Sequence, residues 1–95
     1  VAERVSTQNS GLVQILVVEE ESGIAELIGL NLRHAGWEPL CVSSAEAAQR
    51  QVRETLPALA LVGWMLPGMS GPSLVRQWRN EARMHQLPVL MLMLT

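Results

Sequence analysis

The stretch Leu59-Ala-Leu-Val-Gly-Trp-Met-Leu-Pro-Gly-Met-Ser-Gly71 decides how the rest of the chain is read. It opens as an apolar run too short for a membrane span. It then breaks into Pro67-Gly68 and Ser70-Gly71, two turn signals in quick succession. Ala58–Val62 is apolar throughout and is expected to form a buried, central strand. A strand ending in a tight, glycine-rich loop is where α/β proteins place their chemistry, at the carboxyl ends of parallel strands. Here the residue at that end is Gly63, which has no side chain.

Upstream, Val13–Val18 is another apolar, β-branched run bounded by charge and reads as the first strand. Glu19-Glu20-Glu21 follows at once. Ser22 is the expected N-cap of a helix from Gly23 to about Ala35, with Ile24, Leu27, Ile28 and Leu32 on its packing face and Gly36 as its stop. Trp37–Val42 is a short strand, and Pro39 places it at an edge. Ser43 with Glu46 reads as a capping box for a second helix to about Glu54, packed through Ala45, Ala47, Ala48 and Val52. Downstream of the loop, Pro72 suits the first turn of a helix reaching about Arg83, with Leu74, Val75, Trp78 and Ala82 buried. Pro88–Leu94 is the expected fourth strand. The order βαβαβαβ implies a parallel sheet with helices on both faces.

Composition bounds the rest. At 95 residues the chain is one domain or part of one. Hydrophobic residues make up 48%, which excludes a disordered chain. A net charge of −2 gives no electrostatic reason to bind nucleic acid or an anionic membrane. The single cysteine, Cys41, excludes an internal disulfide and suits a reducing cytosol. Residues 1–12 read as a flexible polar leader without the apolar core of a signal peptide. The run Leu87–Leu94 is broken by Pro88 and too short to cross a bilayer, so a cytoplasmic protein is expected. The chain has no Asp, Lys, Phe or Tyr, so every acid is Glu and every base is Arg.

Three strand ends converge on one rim of such a sheet. They bring Glu19-Glu20, Gly63 with the Met65–Gly68 loop, and Met93–Thr95. Adjacent carboxylates repel and favour a hard divalent cation. The plainer reading of Glu19–Glu21 is a solvated cluster that favours a helix N-terminus. Cys41 is expected to pack, and His34 to lie on the surface near a helix C-terminus. His85 has no second ligand at metal spacing. Trp64 is expected to be partly exposed, Trp37 and Trp78 to fill the core, and Met65, Met69, Met91 and Met93 to fill gaps.

These pieces resemble the receiver domain of two-component response regulators. Ile15-Leu-Val-Val-Glu-Glu-Glu looks like that family's first strand and acidic pair. Leu30-x-Leu-x-x-x-Gly36-Trp-Glu-Pro resembles its first helix and second strand. Leu56 to Gly71 resembles the third strand and loop of its phosphate-regulon branch, and Leu87-Pro-Val-Leu-Met-Leu its fourth strand. The likeness covers residues 13–95, with Trp64-Met-Leu-Pro-Gly-x-Ser-Gly71 its most specific part.

The resemblance implies a flavodoxin-like α/β/α sandwich with strand order 2-1-3-4, lacking the family's fifth strand and last helices. It implies signal reception from a sensor histidine kinase and control of transcription through a DNA-binding output domain. In the family an aspartate ends the third strand and accepts a phosphoryl group, with magnesium beside it. At the matching position stands Gly63, so phosphorylation incompetence is expected. Glu19, Glu20 and the Met65 carbonyl match the metal ligands, with weak magnesium binding expected. The switch position falls on Met93 or Thr95, and the family's neutralising Lys has no counterpart. A phosphorylation-independent interaction module, binding a kinase or another receiver, is the alternative. An enzyme acting on a small molecule would have only Glu19, Glu20 and Thr95 at the rim to work with. With its fourth strand at an open edge, the isolated chain is expected to be marginally stable or self-associating.

Overall fold

The computed structural model describes residues 11–93. The leader up to residue 10, and Leu94 and Thr95, lie outside the described residues. The elements are β1 (Gln14–Val18), α1 (Ser22–His34), β2 (Glu38–Val42), α2 (Ala45–Glu54), β3 (Leu59–Gly63), α3 (Gly71–Arg79), a single 3-10 turn (Ala82–Met84) and β4 (Val89–Leu92). The four strands form one sheet in the order β2-β1-β3-β4, and every pairing is parallel. This is the flavodoxin-like arrangement expected from the sequence.

Register assigns each strand residue to a face. Leu16 pairs with Leu40 and Ala60, and Ala60 pairs with Val89. Val18 pairs with Val42 and Val62, and Val62 pairs with Met91. These two rows point towards α2 and α3, and the core closes there around Ala48, Val52, Leu74 and Trp78. The alternate rows point towards α1. They contain Val17 with Cys41 and Leu61, then Leu90 beside Leu61, and Gly63 beside Leu92. Strand residues alternate between faces, so one apolar run supplies both sides of a central strand.

The termini of the helices explain where the chain turns. Gly36 lies at φ +94°, where an L side chain would be strained. Its N–H donates to the Arg33 carbonyl and the Trp37 N–H donates to Leu32, a Schellman closure that ends α1 at the expected glycine. The N-caps differ from expectation by one residue each. Glu21, not Ser22, caps α1, its carboxylate accepting from the N–H groups of Gly23 and Ile24. Ser44, not Ser43, caps α2 and accepts from the Ala47 N–H. With Ala47 three residues on, no reciprocal capping box forms. Glu46 instead faces Arg50, 3.6 Å away.

Helix α3 stops at Arg79 rather than Arg83. The Arg79 guanidinium folds back to the carbonyls of Met84 and His85, and the His85 Nδ1 lies 2.7 Å from the Arg79 carbonyl. These bonds hold a separate turn, which buries Met84 and leaves Ala82 exposed. Trp78 is fully buried as expected, whereas Trp37 is exposed. Cys41 is exposed as a residue on the outer strand, while its Sγ lies against α1, 3.9 Å from the Ala25 carbonyl oxygen. On α1 the buried residues are Ala25 and Gly29, and Leu27 is 60% exposed.

Candidate functional site

The carboxyl ends of β1, β3 and β4 meet as expected and frame a hollow of about 540 Å³. Glu19 and Glu20 line it after β1, Trp64 and Met65 after β3, and Leu92 and Met93 at the end of β4. Thr95, the second switch candidate, lies outside the described residues. The backbone fixes this rim. The Glu19 N–H donates to the Val42 carbonyl at 3.0 Å, and the Trp64 N–H to Leu92 at 2.9 Å.

Gly63 itself is buried beneath the rim. A Cβ built there would stand 2.9 Å from Glu19 Oε1, 3.2 Å from the Val18 carbonyl oxygen and 3.6 Å from a Leu66 methyl. The Glu19 side chain therefore reaches into the space that a side chain at 63 would occupy. Its other oxygen accepts from the Glu21 N–H at 3.0 Å. The closest atom is the tip of a flexible side chain that can swing aside, whereas the Val18 carbonyl oxygen is main chain and leaves a tight fit. Gly71 is the stricter case. A Cβ there would sit 2.0 Å from the Gly63 carbonyl oxygen, which is main chain and cannot swing away. The Gly71 N–H also donates to Trp64 at 2.8 Å, so α3 begins hard against the end of β3.

The electrostatics of the rim are one-sided. Glu19, Glu20 and Glu21 line the hollow, and no Arg or His among the described residues does. Glu21 is engaged in capping α1, while Glu20 is exposed and has no partner among the described residues. Among the described residues no three His, Cys, Asp or Glu side chains stand close enough together to hold an ion. The ligands suggested by the sequence amount to two carboxylates and a carbonyl, with Glu19 turned towards Gly63. A second hollow, between α1 and β2, contains Glu26, Arg33 and Cys41. Burial against α1 pushes the Cys41 thiol up from its ordinary value, and Arg33 pulls it partly back.

The partial exposure of Trp64 is as expected from the sequence, whereas the exposure of Met65 and Met93 at this rim is not. Trp64 is 41% exposed, Met65 73% and Met93 58%. Methionines at strand ends read as gap-fillers, and only the position of β4 shows that Met93 has nothing to fill.

No family model matches the chain. The phosphate regulon transcriptional regulatory protein PhoB of Rhizobium meliloti is 37% identical over 81 residues, which is 85% of this chain and 36% of that protein. A putative response regulator from Chloroflexus aurantiacus superimposes with a TM-score of 0.82 at 32% identity, covering 84% of this chain and 66% of that one. The chain is homologous to response-regulator receiver domains. The N-terminal domain of a response regulator receiver protein from Methanoculleus marisnigri agrees, with a TM-score of 0.80 at 27% identity over 82% of this chain and 63% of that one. This receiver homologue spans about a third of the length of the curated relatives it matches. No helix among the described residues is long and apolar enough to cross a membrane.

Proposed function

We propose that this chain serves two-component signalling as a receiver-type domain that cannot itself be phosphorylated. The observation that carries the reading is Gly63, at the end of β3 in the rim where Glu19 and Glu20 also stand. Phosphoryl transfer to a protein needs an oxygen nucleophile, a metal across the phosphoryl oxygens and fixed positive charge. Gly63 offers no oxygen on a side chain, and Trp64 and Met65 beside it bring no replacement. Among the described residues no base lines the rim to neutralise a phosphoryl group. Magnesium binding through Glu19, Glu20 and the Met65 carbonyl would be weak on this reading, because one carboxylate is missing from the set. The chain is not an enzyme on this view. It works in the cytoplasm, meets a sensor histidine kinase or another receiver, and reaches DNA only through an output domain, by analogy with the relatives' transcriptional role.

The test uses acetyl phosphate with magnesium and reads intact mass. The unchanged chain is expected to gain no phosphoryl adduct, and Gly63→Asp, which restores the nucleophile but not the fixed positive charge, is expected to gain little. An adduct on the unchanged chain overturns the reading.

A second reading, a phosphorylation-independent interaction module, is favoured by the exposed Trp64, Met65 and Met93 at the same rim. Binding to a kinase without phosphotransfer supports it. Self-association belongs to this reading as well, because β4 is an edge strand and Leu90 on it is 57% exposed.

A further inference from the structure

We infer that the rim hollow is a docking site for a basic amphipathic helix of a partner protein, an inference that rests on the interaction-module reading above. Three large apolar side chains, Trp64, Met65 and Met93, stand exposed around a hollow of about 540 Å³. They surround a group of carboxylates, and among the described residues no base joins the lining. Each element bordering the hollow contributes to one of these two characters. The segment between β1 and α1 brings the acids, α1 adds Ile24, and the β3–α3 loop and the end of β4 bring further apolar groups.

Charge complementarity selects the occupant. A hard cation gains nothing from an indole and two thioethers. A neutral apolar helix would strip water from Glu20 and return no partner for its charge. An anionic lipid surface would be repelled. A helix carrying Lys or Arg beside Leu-like residues satisfies both halves at once. Its apolar side chains cover the methionines, which adapt to varied shapes. Its cations lie between the indole face of Trp64 and the free carboxylate of Glu20. This is the helix-in-groove mode of recognition, with an acidic border that sets the sign of the partner.

The experiment measures fluorescence anisotropy of labelled synthetic helices against the whole chain, with no phosphodonor present. The probe is a Leu/Lys amphipathic helix of about five turns, and the control is a Leu/Glu helix of the same pattern. The Leu/Lys helix is expected to bind and the Leu/Glu helix not to bind. Trp64→Ala is expected to weaken binding about 10-fold. Glu20→Gln is expected to weaken it about 3-fold and to flatten its salt dependence. Both positions are exposed, so circular dichroism is expected to show an unchanged fold. Leu56→Ala, an exposed apolar change beside another hollow, lined partly by Leu12 and Pro57, is expected to leave binding unchanged. Equal binding of the two helices, or unaltered binding by a folded Trp64→Ala chain, overturns the inference. A phosphoryl adduct from acetyl phosphate on a chain that still selects the Leu/Lys helix would sink phosphorylation incompetence and leave the docking site standing.

Discussion

The rows Leu40–Leu16–Ala60–Val89 and Cys41–Val17–Leu61–Leu90 cross the same four strands on opposite faces. The first is closed by α2 and α3, and its two central residues are fully buried. The second is covered by α1, which lies chiefly over β1 and β2. There Val17 is fully buried, Leu61 is half-buried and Leu90 is 57% exposed. The residue types along the two rows are much alike. What differs is the helix above them, so burial in this chain is a property of coverage rather than of hydrophobicity. The cohesion of the described fold is concentrated on the α2/α3 face, and among the described residues the α1 face is less covered over β3 and β4.

The strongest test of the closed face is Gly71→Ala. The new Cβ would stand 2.0 Å from the Gly63 carbonyl oxygen and 2.9 Å from a Met91 methyl. Main chain on one side and the core on the other leave it no room. The destabilisation is expected to exceed about 3 kcal/mol, the upper end for overpacking. Urea unfolding would show this as loss of a folded baseline or a large drop in midpoint. A midpoint near that of the unchanged chain would mean that α3 does not sit against the end of β3.

Next comes the contrast between the faces themselves. Leu16→Ala removes a fully buried side chain and is expected to cost about 2–5 kcal/mol. Leu90→Ala, an edge residue on the other face, is expected to change stability by no more than about 0.5 kcal/mol. Equal costs would show that something covers Leu90 in solution, and the concentration dependence of the Leu90→Ala midpoint would tell whether a second copy does so.

The sequence was most legible where one physical rule acts alone. Apolar runs located β1, β3 and β4, and Gly36 marked the end of α1 because few residues other than glycine adopt φ +94° without strain. Glu19, Glu20, Met65 and Met93 were placed on one rim because parallel strands share their ends. Legibility failed where two neighbours compete for one role. Ser22 and Glu21 can each accept from the first N–H groups of α1, as Ser43 and Ser44 can for α2, and the turn before each helix chooses between them. It failed again where apolar spacing names a face but not its partner. Leu27 repeats at helical spacing with Ile24 and Ile28, yet it stays exposed while Ala25 and Gly29 are the buried residues of α1. The exposure of Met65 and Met93 was hidden for the same reason, while that of Trp64 was legible.

The choice between neighbouring caps gives a smaller test, on the helix that closes the buried face. Ser44→Ala deletes the oxygen that accepts the Ala47 N–H at 3.1 Å and is expected to cost about 1 kcal/mol. Ser43→Ala is expected to stay within about 0.5 kcal/mol, since Ser43 is exposed and outside the cap. Thermal or urea midpoints separate the two. The reverse order would move the start of α2 by one residue and restore the capping box with Glu46.

The smallest expected effect lies at the covered end of the open-face row. The Cys41 thiol is pushed up mainly by burial against α1, with Arg33 opposing. A raised thiol pKa means that the folded chain holds its proton more tightly than the unfolded chain. The associated stability is present below the ordinary thiol pKa and fades as pH rises through the raised value. Because Cys41 is exposed as a residue, the change in stability is expected to be slight, and reactivity is the better measure. Thiolate is the species that alkylates, so iodoacetamide at mildly alkaline pH is expected to react more slowly with the folded chain than with the urea-unfolded chain. Arg33→Gln removes the opposing charge and is expected to slow the folded reaction further. If Arg33→Gln speeds it instead, the arginine acts as a steric cover over the thiol, and α1 shields this end of the row by its side chains rather than by excluding water.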